Sequence, residues 1–328
     1  MARFAPDTLI AALGRELGPG VTIDGLRRLS GGASRETWSF DAVEPNGTLH
    51  PLVLRRDPGT NIGQSDRSTE YALLVAAGAA GVAVPRVRLL LAPGDDLGQG
   101  FVMDRIEGET IPRRILRDDT YATARPRLAA QAGAIAAHIH AVPTAGLPDM
   151  PVNGALAQVD QYRSLLDAFR EPHPAFELGL RRLEEHAPAP RAEPALVHGD
   201  FRNGNFIVDT NGIAAVLDWE LAHLGDPIED LGWLCVKSWR FGVADRIAGG
   251  FGDLDDLLDA YEQAGGTRPD VDTVRWWVAL GTLKWGVICI GQAMTHLNGI
   301  VRNVELAVLG RRVAEMEWDL LDLLDGGW

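Results

Sequence analysis

The sequence predicts an α+β fold with two lobes, a small one built around a mixed β-sheet and a larger, mainly helical one. Strand-like segments with few helices among them occupy roughly the first hundred residues. Beyond a short polar segment at 104–108, most apolar runs have helical spacing. A hairpin pattern interrupts them, because Asn211-Gly212 lies between two β-prone runs. We therefore predict an N-terminal lobe at 1–104, a hinge near 104–108 and a C-terminal lobe at 105–328.

The elements of the first lobe follow from local patterns. Asp7 can cap a helix that carries Leu9, Leu13 and Leu17 on one face and ends at the glycines of 18–20. A helix is predicted over 65–80, with Ser65 as one candidate cap. Strands are predicted at 51–56, 87–91 and 101–103.

The second lobe is predicted as a series of helices around the hairpin. Their spans are 121–141, 158–169, 176–186, 253–264, 272–297 and 303–324. His138 and His140 are two residues apart and do not share a helix face, so we interpret them as structural rather than as metal ligands. The apolar run at 278–290 contains Lys284 and is predicted to be a core helix rather than a membrane span.

The hairpin brings three polar residues to one end of a small sheet. Asp200 and Asn205 precede the strand at 206–208, and Asp218 follows the strand at 214–217. Mg²⁺ takes oxygen ligands and bridges nucleotide phosphates, while a second carboxylate can accept the proton of an attacking hydroxyl. The order D-x-x-x-x-N, hairpin, D therefore indicates phosphoryl transfer. The alternative is a hairpin with solvated acids at its mouth.

The motifs HGDFRNGN, LDWE and GDPIEDLGW make the prediction specific. They resemble those of the aminoglycoside phosphotransferase-like family, which has a protein-kinase-like fold, and are most similar to the kinase-like domains fused to acyl-CoA dehydrogenases. The resemblance implies that Asp200 is the catalytic base and that Asn205 and Asp218 bind Mg²⁺. It also implies that His198 supports the catalytic loop. Protein kinases have Arg where this chain has Gly199, a departure that fits the small-molecule branch.

The same resemblance implies where the nucleotide binds. Gly31, Gly32 and Ser34 form the loop that covers the phosphates, and a plain glycine turn is the alternative because G-x-G-x-x-G is absent. Arg55 takes the place of the phosphate-binding lysine, and Glu70 on the following helix pairs with it. Arg56 should point to the opposite face of the strand.

For other residues near these motifs the sequence leaves alternative roles open. Met103, beside the hinge, is assigned to the nucleotide site, with a core position as the alternative. Asp226 and Asp230 start a helix, where acids interact well with the helix dipole, and we expect them to support the catalytic loop. Glu220 can orient a metal-bound water, contact substrate or be solvated.

Composition limits the partners. The 328 residues carry a net charge of −14, which argues against a nucleic-acid partner. Two cysteines without a disulfide or zinc pattern, and no apolar leader, favour the cytoplasm. No membrane association is expected, and the sequence leaves the oligomeric state open.

We predict that ATP, with GTP as the open alternative, and Mg²⁺ serve phosphorylation of a small-molecule hydroxyl. An aminoglycoside would suit an acidic cleft, whereas the closer resemblance points to a hydroxyacyl-CoA-type metabolite. The competing hypothesis is a non-catalytic, nucleotide-binding regulator, because Arg55 replaces the usual lysine.

Overall fold

The computed structural model describes residues 5–29, 36–57 and 67–328. The strands within these ranges are β1 (Thr22–Arg28), β2 (Glu36–Val43), β3 (Leu49–Asp57), β4 (Val87–Leu90), β5 (Gln99–Asp104), β6 (Ala195–Val197), β7 (Phe206–Val208), β8 (Ile213–Val216) and β9 (His223–Gly225). The α-helices are α1 (Pro6–Leu17), α2 (Arg67–Ala79), α3 (Pro112–Arg117), α4 (Leu128–His140), α5 (Ala155–Phe169), α6 (Pro174–Glu185), α7 (Ile228–Cys235), α8 (Leu254–Gln263), α9 (Val271–Leu297), α10 (Val304–Leu309) and α11 (Val313–Leu324).

The first part of the chain forms a five-stranded sheet in the order β1-β2-β3-β5-β4. Every pairing in it is antiparallel. The sheet was predicted to be mixed, and the observed pairings correct that detail. One face packs on α1 through Leu9, Leu13, Phe40 and Leu54. On the other side, Leu73 of α2 joins the core of the helical part. The predicted α+β architecture is confirmed. The division into lobes at 104 stays a prediction, although β5 ends at Asp104.

The helical part is built around α9, which contacts α5, α6, α7, α10 and α11. Trp276, Leu280, Leu283 and Val287, the predicted helical stripe, are buried. Within the described ranges, α9 is the one helix whose length and apolar composition would allow it to cross a membrane, and 61% of that apolar stretch is buried inside the protein.

Three details of the predicted helices are wrong for local reasons: one helix start, one uninterrupted span and one capping residue. The helix predicted from Tyr121 begins at Leu128, after 3₁₀ turns and Pro126 in the preceding segment. The predicted helix over 303–324 is interrupted by a 3₁₀ turn that starts at Gly310, where a side chain would collide with Ala293. Ala5, not Asp7, is the N-cap of α1, with Pro6 at the first helical position.

Candidate active site

The hairpin β7–β8 positions Asn205 and Asp218 at one end of its two strands. The Leu217 N–H donates to the Asn205 carbonyl (2.8 Å), which ties the residues before β7 to those after β8. Asp218 follows with φ 62° and ψ 63°, a left-handed backbone conformation that ends the strand. The prediction that the hairpin brings these residues together is therefore matched by the geometry.

Asp200 accepts hydrogen bonds at both carboxylate oxygens. The Trp233 indole N–H (2.7 Å) and Arg202 Nε (2.9 Å) donate to Oδ1. Asn205 Nδ2 donates to Oδ2 (2.6 Å) and to the Asp200 carbonyl (2.9 Å). Three donors from three directions fix the orientation of this carboxylate. Since Asn205 donates through its nitrogen, its Oδ1 remains available as a cation ligand.

A buried network lies beneath the loop that carries Asp200. The His198 and Gly199 backbone N–H groups donate to the two oxygens of Asp230 (2.8 and 2.9 Å). His140 Nε2 also donates to Asp230 (3.0 Å), which gives this histidine a structural role as predicted. Asp230 is fully buried, and its contacts match the expected supporting role.

His198 is held as a neutral imidazole. Its Nδ1 accepts the Asp200 N–H (3.2 Å), and its Nε2 donates to the Leu217 carbonyl (3.0 Å). Burial of the ring lowers its pKa and outweighs the opposing charge of Asp230. His198 therefore connects the catalytic loop to the end of the hairpin without carrying a charge.

Arg55 on β3 joins two carboxylates. Its Nη1 lies 3.1 Å from Glu70 Oε1 on α2, and its Nη2 lies 2.7 Å from Asp218 Oδ1. Arg56 points to the opposite face, where it contacts Glu36 (2.8 Å) and the Leu97 carbonyl (2.9 Å). The strand alternation predicted for the two arginines is therefore observed.

Glu70 is shared with a second arginine that the sequence did not suggest. Buried Arg67, one helical turn earlier, contacts Glu70 and donates twice to Asp57 at the end of β3 (both 3.0 Å). Glu70 is 1% exposed, so it is a buried partner of the two arginines and not a solvated acid on the helix surface.

The electrostatics favour an ionised Asp218. Burial would raise its pKa, but the charge and hydrogen bond of Arg55 outweigh that effect and hold the pKa below its usual value. Its side chain is still 44% exposed, so solvent or a ligand can reach it.

The oxygen donors fit a magnesium ion that completes its shell with phosphate and water. Asn205 Oδ1 and the Asp218 carboxylate are the hard ligands that Mg²⁺ takes. In the described part of the chain, no group of three or more His, Cys, Asp or Glu side chains could hold a metal by itself. Two protein ligands with nucleotide phosphates is the usual arrangement for Mg²⁺ in phosphoryl transfer.

The remaining predicted residues lie in different places. Gly31, Gly32, Ser34 and the candidate cap Ser65 fall outside the described residues. Met103 is buried in the core, the alternative left open by the sequence. Asp226 accepts a hydrogen bond from the Ile228 N–H at the start of α7 (3.0 Å) and faces Arg191 (3.4 Å), so these contacts are with the helix start and not with the catalytic loop.

Glu220 lies in a short 3₁₀ turn directly after Asp218. The side chain is half-buried, so it is not simply a solvated surface acid. Its position beside Asp218 is compatible with either of the other roles considered, orienting a metal-bound water or contacting substrate.

Sequence reasoning missed three residues that contact the catalytic loop. Trp233 and Arg202 both lie in the quoted motifs but had no assigned role, and the Arg202 guanidinium also stacks over Trp239 at 4.4 Å. Lys284 of α9 donates to the Gly199 carbonyl (3.0 Å). The motif itself could have indicated Arg202, whereas nothing local in α9 points to Lys284.

Comparison with known proteins identifies the family of this chain. The model of the phosphotransferase enzyme family matches residues 25–277. The Mus musculus protein acyl-CoA dehydrogenase family member 10 is 26% identical over 318 residues, which cover 87% of this chain. The chain spans only 29% of that relative's length.

Solved structures share the fold. One from Ralstonia eutropha, assigned as an aminoglycoside phosphotransferase, has a TM-score of 0.78 at 22% identity and covers 98% of this chain and 99% of its own. Aminoglycoside phosphotransferase APH(4)-Ia, solved as a thermostable mutant with AMP-PNP and hygromycin B, has a TM-score of 0.63 at 16% identity over 98% of each chain. The resemblance drawn from the motifs and its kinase-like fold are confirmed. Since the family model covers more than half of its length, this chain belongs to the phosphotransferase enzyme family.

Proposed function

We propose that the protein transfers the γ-phosphoryl group of ATP to a hydroxyl of a small molecule, with Mg²⁺ as the cofactor. The observation that carries the proposal is the convergence of Asp200, Asn205 and Asp218, with Arg55 bound to Asp218 at 2.7 Å. Phosphoryl transfer depends mainly on positioning and charge neutralisation, and these residues supply groups for both.

Asp200 orients the acceptor hydroxyl and takes its proton. Its Oδ1 already accepts two hydrogen bonds, whereas Oδ2 accepts one, from Asn205. A carboxylate oxygen has about two lone-pair sites, so Oδ2 keeps one for the substrate. The substrate hydroxyl therefore binds at Oδ2, on the side of Asp200 that faces Asn205.

The metal and phosphate side is formed by different residues. Asn205 Oδ1 and Asp218 would hold Mg²⁺, which neutralises charge on the phosphates when it is bound. Arg55, oriented by Glu70, would contact the phosphates, and the motif resemblance assigns Gly31, Gly32 and Ser34 to the loop that covers them. The AMP-PNP in one structural neighbour supports ATP, and GTP is the competing nucleotide.

The acceptor belongs to one of two classes. The sequence similarity to acyl-CoA dehydrogenase family members favours a hydroxyacyl-CoA-type metabolite. The structural neighbours that bear aminoglycoside phosphotransferase names favour an aminoglycoside. For either class we propose a cytoplasmic enzyme that acts without nucleic acid or membrane.

One observation favours a different function, a nucleotide-binding regulator without turnover. Arg55 engages the carboxylate that would bind Mg²⁺, and an arginine is bulkier than the lysine usual at this position. Such a protein would bind nucleotide but leave every hydroxyl acceptor unmodified.

A phosphoryl-transfer screen separates these functions. Purified protein, ATP and Mg²⁺ are offered aminoglycosides, hydroxyacyl-CoAs and simple amino alcohols in parallel, with ADP release and product mass as readouts. Asp200→Asn and Asp218→Asn should each lose at least about 100-fold in kcat, since each removes a group used in the transition state. Asp256→Asn on an exposed helix face is the matched control.

The outcomes are distinct. Product that depends on Asp200 and Asp218 establishes the kinase and its acceptor class together. A near-normal rate in Asp218→Asn contradicts the proposed mechanism. Nucleotide binding without product from any acceptor class favours the regulator.

A further inference from the structure

Lys284 is an unusual residue in this protein. Of the 31 lysines and arginines in the sequence, only Lys237 and Lys284 are lysines. Lys284 lies in the middle of the apolar helix α9 and is 7% exposed. A long charged side chain in such a position is rare unless it is paired, so its partners indicate its purpose.

The Lys284 ammonium has three partners, two of which lie next to Asp200. It donates to the Gly199 carbonyl (3.0 Å), the residue immediately before Asp200. It lies 4.5 Å from the centre of the Trp233 ring, and the indole N–H of that ring donates to Asp200 Oδ1. The third partner is Glu229 Oε1, at 3.4 Å. Lys284 therefore acts on Asp200 indirectly in two ways: through the carbonyl of the preceding residue, Gly199, and through Trp233, which donates to the Asp200 side chain.

Stability alone does not account for this arrangement. Burying an ammonium and a carboxylate costs several kcal/mol per ion, and well-packed apolar residues often serve stability as well or better. Glu229 is also satisfied by Gln158 and by His223 Nε2 (3.1 Å). What Lys284 adds is a compact positive charge between a loop carbonyl and an aromatic face.

We propose that Lys284 is a positioning residue for the phosphoryl-transfer reaction, holding the Gly199 carbonyl and the Trp233 ring so that Asp200 keeps its orientation. This inference rests on the proposed function for its kinetic consequence. Its structural consequence, that Lys284 holds the Trp233 indole and the catalytic loop in place, can be measured without any turnover.

The charge state agrees with this geometry. Burial lowers the pKa of Lys284, but Tyr162, Glu229 and Asp200 around it outweigh that effect, so the pKa is raised. The ammonium stays charged at neutral pH and keeps both its hydrogen bond and its attraction to the ring.

The experiment compares Lys284→Met, the double variant Lys284→Met/Glu229→Gln and Lys284→Arg. The double variant leaves no buried unpaired charge and keeps the test valid where the single variant unfolds. Lys237→Met is the matched control, because Lys237 is the other lysine and is exposed. Thermal unfolding verifies that the variants compared are folded.

Two readouts are taken. If the parent protein is active, Lys284→Met and the double variant should each lower kcat between about 10-fold and 100-fold relative to it. The KM for ATP should stay within about twofold, because Asp200 is misplaced but the nucleotide site is intact. The second readout does not depend on turnover: it is the hydrogen-exchange rate of the Trp233 indole N–H, whose NMR signal is identified because it disappears in Trp233→Phe. In the same two Lys284 variants this rate should rise at least about tenfold. Lys284→Arg, which keeps the charge, should recover part of both losses.

The proposal fails if indole exchange in the folded variants matches that of the parent, whatever happens to kcat. It also fails if kcat is unchanged in an active parent background. If the parent protein phosphorylates nothing, the proposed function has failed, and the indole exchange still decides whether Lys284 holds the loop.

Discussion

Arg55 Nη2 and Asp218 Oδ1 are 2.7 Å apart, and this pair connects the sheet to the catalytic hairpin. Glu70 holds the other side of the same guanidinium at 3.1 Å. The arginine therefore has two carboxylates to satisfy before any nucleotide arrives. Bound phosphates would compete for Arg55, and a metal ion would compete for Asp218.

Arg55→Ala should lower kcat/KM for ATP by at least about 100-fold, because a charge-assisted contact to phosphate and the orientation of Asp218 are both lost. Arg55→Lys should keep part of the activity, since a lysine retains the charge but has no fork to span two carboxylates. Steady-state kinetics with varied ATP measure both, with exposed Arg27→Lys on β1 as the control. Parental kcat/KM in Arg55→Ala would contradict this role.

Asn205→Ala should raise the free Mg²⁺ concentration for half-maximal rate by about tenfold or more, since a ligand and the hydrogen bond that orients Asp200 are removed together. Rates at saturating ATP over a magnesium titration measure the change, and EDTA should abolish turnover. Asn46→Ala, in an exposed turn of the sheet, should leave the titration unchanged. An unaltered magnesium dependence in Asn205→Ala would exclude Asn205 as a ligand.

Asp230→Asn should reduce the free energy of unfolding by about 2–4 kcal/mol, because a buried carboxylate with charge-assisted partners becomes an amide. The amide nitrogen would face a backbone N–H of His198 or Gly199, two donors opposite each other. Urea unfolding at neutral pH measures the loss. A stability equal to that of the parent would mean that the loop takes another arrangement.

The same residue predicts a pH dependence. Burial would raise the pKa of Asp230, but His140 and the His198 backbone outweigh it and hold the pKa below its usual value. The unfolded chain then binds this proton at a higher pH, so the stabilisation is complete above about pH 4 and is lost as pH falls through the lowered folded pKa. The stability gap between parent and Asp230→Asn should narrow below pH 4 in urea unfolding at stepped pH.

Gly199→Ala should cost about 1–3 kcal/mol of unfolding free energy and reduce turnover. Gly199 has φ +77°, and a Cβ there would collide with the Leu221 carbonyl oxygen. Gly47→Ala is the matched control, since Gly47 has φ +88° with nothing near its Cβ position. The difference between the two variants isolates the collision, and equal losses would show that backbone strain alone matters.

The sequence predicted the parts of the site that local patterns encode. Asp200, Asn205 and Asp218 are placed by one turn and two short strands, so their order along the chain was sufficient. The family resemblance matched Arg55 with Glu70, and strand alternation separated Arg55 from Arg56. These inferences required no knowledge of how distant helices pack.

Contacts between distant segments escaped prediction. Lys284 and Gly199 are 85 positions apart, and in the sequence Lys284 is only a charge that interrupts an apolar run. Arg67 was missed because no helix pattern tells which of two arginines a buried glutamate will contact. Asp226 and Asp230 look alike at a helix start, and only the packing of α7 against the loop separates their roles.

The scarcity of lysine has a practical consequence for handling the protein. Amine-reactive dyes and coupling resins attack lysine side chains, and only Lys237 offers one at the surface, 43% exposed beside Asp319. Coupling through a lysine side chain would therefore use one surface position, on the face that α11 shares with the turn after α7. Lys284 is 7% exposed, so its acylation under the same conditions requires local opening of the helical core. The acylation rate would therefore report the frequency of that opening.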